Sequence, residues 1–160
     1  MEFRLWSNDL KEGGKLPEAQ VFNGFGYSGG NRSPHLAWDG APEGTKSFVV
    51  TMYDPDAPTG SGWWHWVVIN LPASTKELPA GSGSGSSLPA GALQTRTDFG
   101  APGYGGAAPP AGRTHRYIFT VHALKVERID LDAQASGALV GFTVFMNALG
   151  KASLTVTFGH

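Results

Sequence analysis

Three residues in this chain have types and settings suited to chemistry: Asp54, His65 and His115. Asp54 opens the run Asp54-Pro55-Asp56-Ala57-Pro58, where two prolines preset their own φ and restrict the residue before each. Both carboxylates therefore stand on a stiff turn, and the plainer reading is a turn whose aspartates cap backbone amides. His65 lies within Trp63-Trp64-His65-Trp66, and His115 within Thr114-His115-Arg116-Tyr117. Taken singly, a histidine among aromatic residues is more often packed than functional. Together the three say more, because each stands where a strand is expected to begin or end, and neighbouring strands bring such ends to one rim. A carboxylate beside two imidazoles favours their charged forms. The expectation is a histidine pair held protonated to higher pH than a free imidazole, which titrates near about 6.5. Imidazolium N–H groups, backbone N–H groups of loop glycines and the Tyr117 hydroxyl are donors suited to phosphate or another small oxyanion. The tryptophans would wall the remainder of a ligand. His35, His122 and His160 are read as structural or solvated.

The elements that must position these residues are strands. Residues 48–53 and 64–71 are β-branched and aromatic on both parities, which predicts central strands covered on both faces. Residues 117–124 give a third such strand, 153–158 an alternating final one, and 3–6 a short edge strand. One amphipathic helix is predicted over 138–149, with Asp132 or Ser136 as its cap and Leu139, Phe142, Phe145, Met146 and Leu149 as its apolar stripe. Residues 72–115 are rich in Gly and Pro and show no periodicity; within them Gly81 to Ser87 is a low-complexity run expected to be a flexible tip.

At 160 residues the chain is long enough for one core, and a single domain over residues 1–160 is expected. Lys and Arg number 12 against 13 Asp and Glu. A net charge of −1 supplies no field to draw nucleic acid or an anionic lipid surface. There is no cysteine, which removes disulfides, thiolate nucleophiles and thiolate-bound metals and suits a cytoplasmic setting. No run of 18 apolar residues occurs, and the N-terminal residues lack a signal-peptide pattern, so neither a membrane span nor export is expected.

Four ordered segments together resemble the phosphatidylethanolamine-binding protein family, in its bacterial and archaeal Raf-kinase-inhibitor-like branch. Asn31 to Trp38 is similar to the family's N-S-P-x-L-x-W segment and Asp54 to Pro58 to its D-P-D-A-P turn. Gly62 to Val68 resembles the strand bearing its first pocket histidine, and His115-Arg116-Tyr117 its H-R-Y motif. The resemblance implies a mainly β, two-sheet Greek-key sandwich with a peripheral helix near the C-terminus. It also implies a small anion pocket at the positions of Asp54, Asp56, Pro58, Trp63, His65, Pro109, His115 and Tyr117. No catalysis and no cofactor are implied. The ligand would be a small oxyanion or phosphorylated small molecule, the protein partner an unidentified kinase or protease under regulation, and a homodimer is compatible with the family. The family's turn, and the tight reversal needed to present both aspartates, suggest a cis Ala57–Pro58 bond. Ala108 stands before Pro109-Pro110 where many relatives have glycine, which would alter backbone approach to the anion.

Two other classes compete with this reading. Two histidines and one carboxylate on a β-sandwich are the donor set of a non-haem iron enzyme, with Arg116 placed to hold an acidic cosubstrate. That arrangement usually sets one histidine close to the acid on one strand, whereas eleven residues and a proline turn separate Asp54 from His65. The third class is an interaction protein whose pocket is vestigial. A serine hydrolase is disfavoured, since no G-x-S-x-G elbow occurs.

Overall fold

Strands form where the apolar runs lie. The computed structural model describes residues 2–159. Its elements in chain order are β1 Arg4–Trp6, β2 Leu36–Asp39, β3 Ser47–Asp54, β4 Trp63–Pro72, β5 Glu77–Leu78, β6 Leu93–Gln94, β7 Thr114–Leu124, α1 Gly137–Asn147 and β8 Ala148–Gly159. Short 3-10 turns occur at Glu18–Gln20 and Ser82–Ser84. The strands make an antiparallel sheet ordered β1-β2-β5 and a larger antiparallel one ordered β6-β4-β3-β7-β8. The fold is thus mainly β, in two sheets with one helix near the C-terminus, as the sequence predicts.

Both parities of β3 are used. Phe48, Val50 and Met52 pack with Trp66, Phe119 and Val121 against Leu5, Leu36, Trp38 and Leu78 of the small sheet. Val49, Val67, Ile69 and Leu124 look the other way and meet Val140 and Val144 of α1. Each such side chain, taken fully out of water, contributes about 1.5–3 kcal/mol, which explains why a strand so apolar on both faces must be central.

The helix departs from the expected stripe. Ser136 is its cap, accepting from the Leu139 N–H at 3.1 Å. Its buried residues are Gly137, Val140 and Val144, while Phe142 and Phe145 are 63% and 79% exposed. Gly137 decides this, since a Cβ there would enter the Trp64 ring, and only a face of small residues fits so close to the sheet. The helix is therefore apolar on both sides rather than amphipathic, and it ends at Asn147 because Ala148 already belongs to β8.

The long connection is also more ordered than its composition suggests. It carries the two-residue strands β5 and β6, and the Gly81 to Ser87 run, predicted to be a flexible tip, folds into a 3-10 turn with Ser82 and Gly83 buried. Gly83 lies against Tyr104 and Ser33, where no side chain would fit, and its N–H donates to Ser33 Oγ at 2.7 Å. Here glycine serves close packing rather than mobility.

Candidate functional site

The three chemical residues do meet. β4, β3 and β7 are neighbours, and their ends on one side of the sheet carry His65, Asp54 and His115. The register matters here, because Met52 pairs with Trp66 while Tyr53 pairs with Trp64, which leaves His65 as an extra residue in β4. Such a bulge shifts side-chain facing. Trp66 points into the core between the sheets, Trp64 turns towards α1, and Trp63 and His65 face the cavity. Of the three tryptophans expected as a wall, only Trp63 lines the site.

The cavity, about 160 Å³, is lined by Asp54, Pro58, Trp63, His65, Pro109, His115 and Tyr117 of the expected set. Sequence reasoning missed Phe25 and Phe99 on its rim and Thr59; Ala57, Ala108 and Pro110, which it noted only beside the expected residues, line the cavity too. Phe99 stacks on Phe22 with ring centres 4.5 Å apart and meets Trp63 edge-on at 5.3 Å, so the mouth is aromatic. Their signal was an aromatic residue within glycine-rich loops, Gly24-Phe25-Gly26 and Phe99-Gly100, which only the fold brings together. The Ala108 loop is tied from behind by Gly106 N–H donating to Asn31 Oδ1 at 2.8 Å and by the Tyr27 hydroxyl donating to the Pro109 carbonyl at 2.6 Å. The Asn31 segment is thus support for the site rather than part of its lining.

Asp54 is buried, and its two oxygens are engaged: Oδ1 accepts from the Asp56 N–H at 2.8 Å and Oδ2 from His115 Nδ1 at 2.7 Å. Burial raises its carboxyl above the ordinary carboxylate range, against the opposing pull of both hydrogen bonds. The Asp56 bond closes the turn through the side chain. Thr59 N–H adds a bond to the Ala57 carbonyl at 2.8 Å, and Gly60 and Gly62 take φ of 84° and 69°. These devices complete the reversal without a cis bond: among the described residues no peptide bond is cis, which corrects the expectation for Ala57–Pro58.

His65 does not pair with Asp54. Its Nδ1 donates to the Gly105 carbonyl at 2.8 Å, and burial lowers its pKa to about 4. The expectation that Asp54 holds both imidazoles protonated therefore fails for His65. It is neutral at physiological pH, with its proton on Nδ1 and a lone pair on Nε2. Asp56, also expected in the pocket, does not line the cavity. It accepts from the Arg116 backbone N–H at 2.8 Å and from its guanidinium at 2.8 and 3.0 Å, and that guanidinium draws its carboxyl down to about 2. Arg116 is thereby occupied rather than available for a cosubstrate.

Two donors at the cavity have no partner. The Tyr117 hydroxyl and the Trp63 indole N–H are buried without a hydrogen bond, and burial pushes the Tyr117 hydroxyl well above its usual range, keeping its proton in place. An unpaired buried donor costs about 1–3 kcal/mol. As for metals, among the described residues no three His, Cys, Asp or Glu side chains gather into a ligand set. Asp54 and both histidine Nδ1 atoms are committed to the protein itself.

Comparison with known proteins fits this geometry. The family model for "PBP: Phosphatidylethanolamine-binding protein" matches residues 6–159. The chain is 69% identical over 156 residues to the UPF0098 protein YbhB of Escherichia coli K12, covering 97% of this chain and 99% of that one. It is 54% identical to E. coli YbcL, covering 98% of this chain and 87% of the relative. The crystal structure of E. coli YbcL, described as a member of the mammalian PEBP family, superposes with a TM-score of 0.97 at 53% identity over 100% of this chain and 99% of that one. A homologue from Chlamydia trachomatis, CT736, has a TM-score of 0.83 at 26% identity, covering 99% and 97%. Among the described residues no helix is long and apolar enough to cross a membrane.

Proposed function

From the premise that the chain belongs to the phosphatidylethanolamine-binding protein family, we propose that it is a non-catalytic binding protein whose cavity takes the oxyanion end of a small molecule. The observation that carries this reading is the pair of unpartnered buried donors, the Tyr117 hydroxyl and the Trp63 indole N–H, in the lining that also holds His65 and His115. Both can supply donors to an oxyanion, and neutral His65 supplies an acceptor. A phosphate or phosphonate that keeps one proton has both acceptor and donor oxygens and suits this mixture. Regulation of a kinase or protease, and action in the cytoplasm, belong to the same proposal.

Isothermal titration with methylphosphonate tests it. The wild type is expected to bind in the micromolar to millimolar range. Tyr117→Phe, which removes one hydrogen bond at a cost of about 1 kcal/mol, is expected to weaken binding about fivefold, and His115→Ala to weaken it further. Equal affinity in the wild type and both variants sinks the proposal.

A further inference from the structure

We propose that the cavity is the inner end of a longer site, and that its ligand carries a second anionic group seated on the guanidinium of Arg113. This inference rests on the oxyanion reading of the cavity and adds a chemical class: a small molecule with an oxyanion at one end and a carboxylate or second phosphate at the other. A second cleft opens next to the cavity and shares three walls with it, Pro58, Pro110 and His115. Beyond them it adds Asp56, Thr114, Arg113 and Arg116, two guanidinium groups against one carboxylate.

The two arginines differ in what they can still do. Arg116 has its guanidinium and backbone N–H on Asp56, so its charge is balanced. Arg113 makes no side-chain hydrogen bond or ion pair among the described residues. Its backbone is nevertheless fixed. The Arg113 N–H donates to the Pro110 carbonyl at 3.1 Å across a turn with Gly112 at φ 79°, and its carbonyl lies so near Gly159 of β8 that no Cβ would fit there. A free guanidinium on an anchored base, beside an interior whose own charges are already paired, is the local feature that attracts a further anion. Its planar fork suits a carboxylate or phosphate. Arg113 stands two residues before His115, about 7 Å in extended backbone, so one short chain crossing the Pro58–Pro110 ridge joins the two groups.

The test is titration calorimetry at constant low ionic strength with methylphosphonate and with ω-phosphonocarboxylates of two to six methylenes, on the wild type, Arg113→Ala and Arg113→Lys. An exposed ion pair is worth up to about 1 kcal/mol, so the best chain length is expected to bind about fivefold tighter than methylphosphonate. Arg113→Ala should erase that gain while leaving methylphosphonate within about twofold, and Arg113→Lys should keep part of it. Three outcomes overturn the inference alone: no chain length gains on methylphosphonate, the gain persists in Arg113→Ala, or that variant weakens methylphosphonate equally. Absence of methylphosphonate binding to the wild type instead overturns the cavity reading, and this inference with it.

Discussion

Acid should unfold this protein early, and His122 provides a clean measure of why. It lies mid-strand in β7 outside the cavity lining, with its Nε2 3.4 Å from Thr51 Oγ1 and with Lys151 as its cross-strand neighbour on β8. Burial first, and Lys151 second, lower its pKa from 6.5 to about 4. The folded state therefore holds it neutral, while the unfolded chain takes up a proton below about 6.5. Its stabilising contribution is complete above that pH and is lost as pH falls to about 4. Across the whole window this amounts to about 3–4 kcal/mol, of which about 2–3 kcal/mol is gone at pH 4.5. His65, lowered to about 4 by burial, repeats the loss with the same sign. Two such terms reach about 5 kcal/mol at pH 4.5, a large part of a total stability of about 5–15 kcal/mol. Asp54, whose carboxyl is raised, works in the opposite direction, and Asp56, drawn down to about 2, titrates below this window.

His122→Gln isolates one term, because the shared groups cancel between variant and wild type. Urea unfolding followed by fluorescence of the five tryptophans would be measured at pH 7.0 and pH 4.5. With a slope of about 2 kcal/mol per molar urea, the wild-type midpoint is expected to fall about 1 M further than the variant's between the two pH values. Any packing cost of the substitution is present at both pH values and drops out. An equal fall in both proteins would refute the claim that His122 is held neutral by burial.

The other two predictions concern the cavity and the helix. Tyr117→Phe should leave thermal stability unchanged or raise it by up to about 1 kcal/mol in the free protein, since it deletes a buried hydroxyl with no partner, and calorimetry showing a large loss would mean the hydroxyl is satisfied. Gly137→Ala should cost about 1–3 kcal/mol despite alanine's better helix propensity, because its Cβ meets Trp64, and a higher melting temperature would show the helix free to move away.

How much of this was legible beforehand depends on the length scale of each signal. β3, β4, β7 and β8 were readable because long runs that are apolar on both parities, or that alternate strictly, fit a strand and do not fit a helix. β2, β5 and β6, at two to four residues, are too short to display a period and exist only through their partners. Gly83 and Gly137 have one cause in common: the sequence shows a residue without a side chain, and only the fold shows whether a neighbour fills the space. In one case that hid an ordered turn, in the other the buried face of the helix.

The electrostatics of the site were lost for a more specific reason. The sequence correctly brings Asp54, His65 and His115 to one rim, and proximity alone predicts a carboxylate shared between two imidazoles. Whether each histidine meets that carboxylate depends on the extra residue at the start of β4, the bulge at His65 that turns it into the cavity with its Nδ1 on the Gly105 carbonyl. A neutral carbonyl cannot offset the cost of burying an imidazolium, so His65 becomes an acceptor, while His115, two residues from Tyr117 on a regular strand, reaches Asp54. One bulge thus converts what would have been a doubly cationic pocket into one holding both acceptor and donors. Under the proposed oxyanion reading, that mixture would favour a partly protonated oxyanion over a fully ionised one, with any further anionic group of the ligand left to Arg113 outside.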